Sequence, residues 1–199
     1  MNQSTDFLSP SYWNNRYLNQ ETGWDIGSVA TPLKNYFDQL TNKHIYILIP
    51  GAGNAYEAIY LHQHGFTNVH VVDFAQQPLN NIQKQHPTFP KAHLICSDFF
   101  EHTEQYDLIV EQTFFCALNP TMRPNYVSHM HQLLKPTGKL VGLLFDDELP
   151  GDTPPFGGNN TEYKALFENQ FTINTMETAY NSIAPRKGRE LFISFSPKH

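Results

Sequence analysis

A glycine turn followed by a distant acidic residue is the first feature of the sequence that could support chemistry. An apolar run over residues 47–50 ends at Gly51-Ala52-Gly53, and an amphipathic helical pattern begins directly afterwards. Glycine allows a ligand to approach the backbone closely, and the N–H groups at a helix start offer hydrogen bonds. Asp73 follows Gly51 by 22 residues, at the end of the next apolar run. A carboxylate there commonly accepts hydrogen bonds from ribose hydroxyls, so the turn and Asp73 predict a nucleoside-cofactor site.

The residues after the turn favour a cofactor that carries a ribose but no phosphate. The dinucleotide fingerprint has a third glycine at its sixth position, where this chain has Tyr56. Glu57 follows in the first turn of the predicted helix, and its negative charge would repel a pyrophosphate. Both residues favour S-adenosylmethionine over NAD, and an NAD-dependent oxidoreductase stays open as an alternative.

An acidic residue and aromatic rings follow the third apolar run. Ser97, Asp98 and Phe99 come directly after it, and Phe100 adds a second ring. We expect Asp98 to accept a hydrogen bond from the adenine amino group and Phe99 to pack against the adenine ring. The residues after the third strand therefore add a predicted adenine contact to the cofactor site.

Three aromatic residues near the start of the chain are predicted to cover the cofactor. Trp13 and Trp24 are the two tryptophans of the chain, and Tyr17 lies between them. A cation on an aromatic face gains about 0.5–2 kcal/mol, so these rings suit the positive sulfonium of S-adenosylmethionine. The alternative is that they pack on the flank of the sheet and contribute only to stability.

The elements that must position these residues alternate between β-rich runs and helical patterns, as in βαβ units with a parallel sheet. The carboxyl ends of parallel strands meet in one crevice, where such sheets bind ligands. Two late strands have no helix between them, which predicts an antiparallel hairpin. The predicted strands are 44–50, 68–74, 92–97, 106–112, 138–145, 171–178 and 190–196, and the predicted helices are 9–19, 55–65, 76–85, 122–135 and 161–169.

Length and composition favour one domain over residues 1–199, with a cover segment (1–40) and an α/β core (44–199). The net charge of -6 argues against a nucleic-acid partner, which would need clustered basic residues. The sequence shows no signal peptide and no eighteen-residue apolar stretch, so we expect no membrane association. Cys96 and Cys116 lie in apolar stretches, as reduced core thiols do, and this favours a cytoplasmic location. A monomer is the favoured state.

The histidines do not form a recognisable metal site. His62 and His64, like His129 and His131, are two residues apart on predicted helices and point to different sides. They cannot chelate one ion as a pair four residues apart would. No metal is therefore predicted.

Short motifs along nearly the whole chain resemble the thiopurine S-methyltransferase family, which includes plant halide and thiol methyltransferases and bacterial tellurite- and selenium-methylating enzymes. The motifs are YWNNRY (12–17), TGWDIG (22–27), TPL (31–33), IPGAG (49–53), SDFF (97–100), YDLI (106–109), FCAL (115–118), RP (123–124), LKPTG (134–138), PPF (154–156) and RKG (186–188).

The resemblance implies a Rossmann-like class I methyltransferase fold with strand order 3-2-1-4-5-7-6 and S-adenosylmethionine as cofactor. It implies a cofactor site formed by Trp13, Tyr17, Trp24, Gly51, Asp73, Asp98, Phe99 and Gln112. We add the neighbouring residues Ala52, Gly53, Phe74, Ser97 and Glu111 to the predicted cofactor site. For the methyl acceptor we predict contacts with Gln112, Phe115, Pro155, Phe156 and Arg186.

The acceptor is expected to be soft, because no general base is evident and no catalytic residue is assigned. Ionising a thiol of pKa about 8.5 at pH 7 costs about 2 kcal/mol, whereas a hydroxyl near pKa 15.7 costs about 12 kcal/mol. A thiol, thiopurine, hydrosulfide, halide, or selenium or tellurium species therefore suits the site. Arg186 either steers an anionic acceptor or is an ordinary surface charge in a turn.

The chain departs from the family pattern at three places. Tyr17 replaces a common tryptophan, Glu111 and Gln112 replace a common Asp-Tyr or Asp-Arg pair, and the glycines of the loop 152–158 are displaced. Tyr17 leaves the aromatic cover intact but smaller. The changes at Glu111-Gln112 and in the loop leave open a second alternative, a sensor that binds the cofactor without turnover.

Overall fold

The computed structural model describes residues 8–199, so residues 1–7 of the predicted cover segment lie outside the described residues. Its strands are β1 (Tyr46–Pro50), β2 (Asn68–Asp73), β3 (Leu94–Cys96), β4 (Tyr106–Gln112), β5 (Leu134–Phe145), β6 (Phe171–Thr178) and β7 (Glu190–Pro197). They form one seven-stranded sheet in the order β3-β2-β1-β4-β5-β7-β6. β1 to β5 are parallel, whereas β7 pairs antiparallel with both β5 and β6. The predicted strand order and hairpin are confirmed.

The helices are α1 (Pro10–Leu18), α2 (Thr31–Phe37), α3 (Tyr56–Gln63), α4 (Gln76–Gln85), α5 (Arg123–Leu133) and α6 (Asn160–Phe167). Five of them match predicted helices within two residues at each end. α2 was not predicted, because its seven residues are too few for a clear helical period and no side chain caps its start at Ala30. Short 3₁₀ turns at Phe99–Glu101 and Phe115–Ala117 follow β3 and β4.

Two strands differ in length from their prediction by more than two residues. β3 has only three residues, because Lys91–His93 forms a 3₁₀ turn before it. β5 begins at Leu134 rather than Gly138, since Leu134 already pairs with Tyr106 before a register shift in β4. These changes lie mainly at the starts of the strands, and the carboxyl ends stay within one residue of their prediction.

The core has one layer on each face of the sheet. Ile47 and Ile49 belong to one buried cluster, whereas Leu48 between them belongs to the other. Successive side chains of a strand point to opposite faces, so β1 contributes to both layers. Burial of about 25 cal/mol per Å² of apolar surface makes these two layers the main stabilising contribution.

The two cysteines are both free, but only one is buried. Cys116 lies in the core, whereas Cys96 is exposed at the end of the edge strand β3. The prediction that Cys96 is a core thiol is therefore wrong, because Cys96 is the last residue of an edge strand that has a neighbouring strand on one side only. Among residues 8–199, no helix combines the length and the apolar character needed to cross a membrane.

Candidate active site

A cavity of about 230 Å³ opens at the carboxyl ends of β1, β2 and β4. Its wall contains residues from the glycine turn, from the ends of β2 and β4, and from the cover segment. Eleven predicted cofactor residues line it, namely Trp13, Tyr17, Trp24, Gly51, Ala52, Gly53, Asp73, Phe74, Asp98, Phe99 and Gln112. The structure therefore brings together residues that are up to 99 positions apart in the sequence.

The glycine turn is approached from two sides. Gly51 and Gly53 have φ of 55° and 54°, a left-handed conformation that favours glycine. A Cβ atom on Gly51 would collide with the Phe114 ring, and one on Gly53 would collide with the Tyr17 hydroxyl. Gly51 N–H also donates to the Val72 carbonyl at 2.7 Å, which ties the turn to β2. The turn is therefore a close-fitting cradle between β4 and the cover.

Asp73 is a buried carboxylate at the end of β2, with 8% of its surface exposed. It accepts hydrogen bonds from the backbone N–H of Ala75 at 2.9 Å and of Gly53 at 3.4 Å. Burial raises its pKa to about 6, against the lowering effect of these two bonds. Asp73 is therefore ionised at neutral pH, and a carboxylate can accept more hydrogen bonds than two.

The aromatic cover lies over this turn. The Trp24 ring packs edge-on against Trp13 at 5.4 Å and against Tyr17 at 6.0 Å between centroids. Burial, followed by the charge of Asp73, raises the pKa of Tyr17 well above its usual value, so its hydroxyl stays protonated. The three rings form one wall of the cavity, and their side chains are not simply packed on the flank of the sheet.

Polar contacts dock the cover on the core. Asn14 of α1 accepts a hydrogen bond from Gln77 N–H at 2.8 Å, which caps the start of α4 in place of Ala75. Asp25 accepts hydrogen bonds from the Asn54 side-chain amide and from the Tyr56 hydroxyl. The cover is thus attached both to α4 and to the residues that follow the glycine turn.

Glu57 takes part in the same docking. It is buried, and its carboxylate accepts a hydrogen bond from Ala30 N–H at 2.9 Å, just before α2. Burial raises its pKa, and the bond to Ala30 opposes this effect. Glu57 therefore connects α3 to the cover as well as contributing to the cavity wall.

Glu111 at the end of β4 does not line the cavity. It is fully buried, and one carboxylate oxygen accepts from Phe114 N–H at 2.8 Å and Phe115 N–H at 2.9 Å. The other oxygen accepts from the Tyr126 hydroxyl at 2.5 Å. Burial raises the pKa of Glu111 to about 7. Glu111 thus orders the turn after β4, and the structure does not support its predicted contact with the cofactor.

The turn after β4 directs Gln112, Thr113 and Phe114 into the cavity. Thr113 has φ of 60°, which is unusual for a β-branched residue and is typical of functional sites. The Gln112 side-chain oxygen is buried and has no hydrogen-bond partner within residues 8–199. It is therefore available to a hydrogen-bond donor inside the cavity.

Four further predicted residues stay outside the cavity. Ser97 donates to the Asp98 carbonyl, and Phe156 is held by its N–H, which donates to the Cys116 carbonyl at 2.7 Å. Phe115 is buried in the aromatic cluster around Tyr126, so its neighbour Phe114 takes the predicted place in the cavity wall. Of the predicted acceptor residues, Gln112 and Pro155 line the cavity.

Arg186 is the fourth of these residues, and its predicted roles need correction. Only 8% of its surface is exposed, so the prediction of an ordinary surface charge is wrong. Its guanidinium pairs with Glu190 at 3.0 Å and donates to the Trp24 carbonyl at 2.6 Å. It does not line the cavity, so the structure does not support direct steering of an acceptor.

Several wall residues were not predicted. The segments after β4 and the loop 152–158 contribute the apolar end of the wall, namely Phe114, Cys116, Leu118, Met122 and Pro154, and the cover adds Asp25 and Ile26. Burial raises the pKa of the Cys116 thiol to about 12, so it stays protonated and is a poor nucleophile. Within residues 8–199, no group of three His, Cys, Asp or Glu side chains could hold a metal ion.

The chain is similar to known proteins both in sequence and in fold. Residues 8–194 match the sequence model described as thiopurine S-methyltransferase. A probable thiol methyltransferase 2 from Arabidopsis thaliana is 30% identical, over 89% of this chain and 81% of that protein. A thiopurine S-methyltransferase from Pseudomonas fluorescens is 25% identical, over 85% and 87%. The solved structure of magnesium protoporphyrin IX methyltransferase from Synechocystis contains bound S-adenosylmethionine. It matches this chain with a TM-score of 0.73 over all of both chains, at 14% identity, which shows a shared fold.

Proposed function

This chain belongs to the thiopurine S-methyltransferase family and is an S-adenosylmethionine-dependent methyltransferase, and on that premise we propose that its acceptor is a small thiol or a similarly soft nucleophile. The observation that most directly supports the cofactor assignment is the buried carboxylate of Asp73, which lies beside the glycine turn and beneath three aromatic rings. A nucleoside with a positive sulfonium and no phosphate suits this arrangement. An NAD-dependent oxidoreductase does not account for the family membership, and the turnover test below distinguishes the methyltransferase from the sensor.

We propose a partner in the cavity for each group of the cofactor. We assign the ribose hydroxyls to the Asp73 carboxylate, which at neutral pH has acceptor capacity beyond its two backbone bonds. We assign adenine to Asp98 at the cavity rim and to the buried Phe99 ring, which packs edge-on against Phe114 at 5.1 Å. The aromatic cover would shield the sulfonium from water, and the glycine turn would let the cofactor lie against the backbone.

The apolar end of the cavity is the proposed acceptor site. Leu118, Met122 and Pro155 contribute to its wall, and they offer an acceptor contact surface without a titratable group. When bound, the cofactor would supply an electrophilic methyl group to the acceptor, and S-adenosylhomocysteine would be the product that leaves. The task of the protein is to align the reactants and exclude water, which can supply roughly 7–11 kcal/mol of the barrier reduction.

A soft acceptor follows from the chemistry of this wall. Ionising a thiol near pH 7 costs about 2 kcal/mol, so a thiol can release its proton to water without a dedicated base. The Arabidopsis and Pseudomonas relatives are named as thiol and thiopurine methyltransferases. We propose the same broad class for this chain, with Gln112 and Pro155 as acceptor contacts.

We further propose a single domain over residues 1–199 and a cytoplasmic location. One continuous sheet carries residues of the cavity from β1 to β4, and the cover docks on α3 and α4. The free thiols of Cys96 and Cys116 suit a reducing compartment.

Calorimetric titration with S-adenosylhomocysteine and NAD tests the cofactor assignment. We expect binding of S-adenosylhomocysteine, and we expect Asp73→Asn to weaken it about 10- to 100-fold through the loss of hydrogen bonds to a charged group. Asp107→Asn is a matched control, because Asp107 lies at the opposite end of the sheet and pairs with Lys135 at 2.8 Å. An unchanged dissociation constant in Asp73→Asn, or tight NAD binding, would contradict the assignment.

Turnover is tested with a panel of thiols, hydrosulfide, iodide, thiocyanate and oxidised selenium and tellurium species. The release of S-adenosylhomocysteine is measured for each compound with the wild-type protein. We expect product with one or more of the thiols. Cofactor binding without product from any member of the panel would favour the sensor instead.

A further inference from the structure

Arg186 connects the loop between β6 and β7 to the aromatic cover, although 162 residues separate it from its partner. One guanidinium nitrogen donates to the Trp24 backbone carbonyl at 2.6 Å. Arg186 is 8% exposed, so water competes little for this hydrogen bond. The contact fixes the backbone of Trp24, whose ring forms part of the cavity wall.

A buried ion pair holds the guanidinium in position. The second nitrogen of Arg186 pairs with Glu190, the first residue of β7, at 3.0 Å, and Glu190 also accepts a hydrogen bond from Ser182 at 2.7 Å. The guanidinium carbon lies 5.3 Å from the centre of the Phe145 ring at the end of β5. The arginine is therefore held in place on the sheet, and its hydrogen bond to the Trp24 carbonyl holds the cover at a fixed position relative to the sheet.

We propose that Arg186 is a positioning residue, which holds the aromatic cover in place over the cofactor through the Trp24 carbonyl. This inference rests on the proposed cofactor site. Trp24 packs edge-on against Trp13 and Tyr17, so a shift of its backbone would move the three rings together. Arg186 itself stays outside the cavity and contacts neither the cofactor nor the acceptor.

The two-pronged shape of the guanidinium is essential to this role. One terminal nitrogen pairs with Glu190 while the other donates to the Trp24 carbonyl, and both bonds are present at the same time. Lysine keeps the positive charge but concentrates its donors on one nitrogen, so it cannot reproduce the planar fork. Arg186→Lys therefore separates the charge, which Glu190 needs for stability, from the geometry that the cover needs.

The test compares Arg186→Lys and Arg186→Met with Arg189→Met. Arg189 lies on the same loop and loses the same charge, but it is exposed and pairs with Asp147 at the surface. Both tryptophans of the chain lie in the cover, so tryptophan fluorescence reports on the cover directly. Each variant is measured for its melting temperature, its affinity for S-adenosylhomocysteine by calorimetry, and its kinetics with the best acceptor of the panel.

We expect Arg186→Lys to fold and to bind S-adenosylhomocysteine about ten-fold more weakly, which corresponds to about 1.4 kcal/mol. Its tryptophan emission should shift to longer wavelength, as it does when indole rings become more exposed. The KM for the cofactor should rise in proportion, while the KM for the acceptor and the saturated kcat should stay within roughly two-fold of wild type. Arg186→Met should show the same changes with a lower melting temperature, and Arg189→Met should match wild type.

Two results would overturn the proposal. One is wild-type affinity and emission in Arg186→Lys, and the other is a change confined to the KM for the acceptor. Failure of the wild-type protein to bind S-adenosylhomocysteine would instead contradict the proposed function, so the two failures are distinguishable.

Discussion

Replacement of Glu111 by glutamine should change how the stability of the protein depends on pH. Glu111 is fully buried at the end of β4, and its pKa is raised from 4.5 to about 7. A glutamine side-chain oxygen can still accept from Phe114 N–H and Phe115 N–H, and its amide nitrogen can donate to the Tyr126 oxygen. Glu111→Gln therefore keeps the two backbone hydrogen bonds of the turn and removes the titration, while the bond to Tyr126 is reversed, as a protonated Glu111 would also reverse it.

The sign and size follow from the two pKa values. Between pH 4.5 and pH 7 the folded protein holds the Glu111 proton, whereas the unfolded chain has released it. The folded state then binds more protons, so the contribution of Glu111 to the free energy of unfolding falls as the pH rises. A span of about 2.5 pH units at 1.36 kcal/mol per unit gives a fall of about 3 kcal/mol.

Urea unfolding of both proteins at pH 5 and pH 8 tests this reasoning. At pH 5, about half a pH unit above the unfolded-state pKa, the variant should be more stable by less than about 1 kcal/mol. At pH 8 the variant should be more stable by about 3 kcal/mol, because the wild type must bury a charge. Burial also raises the pKa of Asp73 and lowers those of His70 and His102, but both proteins share these groups, so their effects cancel in the difference.

A difference between variant and wild type that is the same at both pH values would refute the raised pKa of Glu111. The same protein also tests the placement of this residue. Because Glu111 lies outside the cavity, Glu111→Gln should bind S-adenosylhomocysteine within roughly two-fold of wild type. A large loss of affinity with intact stability would restore the role in cofactor binding that the sequence predicted.

Three further changes test other parts of the site. Gly51→Ala should destabilise the fold by about 1–3 kcal/mol in thermal unfolding, because alanine at φ 55° is strained and its Cβ meets the Phe114 ring. Arg123→Met should raise the KM for the acceptor and leave cofactor affinity unchanged in kinetics and calorimetry, because Arg123 donates to Gly157 in the loop of the apolar end. Calorimetry below pH about 6 should show cofactor affinity falling by up to about ten-fold per pH unit, as Asp73 becomes protonated, and Asp73→Asn should lack this trend.

The sheet and much of the cavity could be predicted from the sequence, because the predicted cofactor residues stand at the ends of predicted strands or directly after them. Gly51, Asp73, Asp98 and Gln112 each follow or end a strand, and the parallel order brings those ends to one edge. The tryptophans of the cover were predicted from chemistry alone, because a sulfonium needs an aromatic or anionic surface. The helix α2 was missed, since a short helix without a side-chain cap has no distinct pattern.

The sequence predicts Phe115 as an acceptor contact, whereas Phe114 lines the cavity. In an apolar run, the side chain that faces a cavity cannot be identified without knowledge of the local backbone conformation. Strand alternation stops at Gln112, and Thr113 takes a left-handed conformation before the 3₁₀ turn. That conformation directs the Phe114 ring to the cavity and the Phe115 ring to the core. The signal that could have indicated this turn is the Glu111 carboxylate, which in a buried strand must find hydrogen-bond donors nearby.

Arg186 could not be placed for a different reason. Arginine in a loop that also contains Pro185, Lys187 and Gly188 has the pattern of an exposed turn, and its partner Trp24 lies 162 residues away. Its burial depends on the hairpin, which returns Glu190 beside the guanidinium at the start of β7.

The buried carboxylates around the cavity connect stability with binding. Asp73 remains ionised at neutral pH against a desolvation cost, which its raised pKa records. Hydrogen bonds from a bound ribose would stabilise the ionised form and lower that pKa again. Binding near pH 6 should therefore release protons from Asp73, and the same interaction should stabilise the whole fold. The cover also contacts Glu57 of α3 and Arg186 of the loop between β6 and β7, so cofactor binding at the cover should stabilise both of these regions. The buried charge of Asp73 lowers the stability of the unliganded protein, and the bound cofactor should restore it through hydrogen bonds to the same carboxylate.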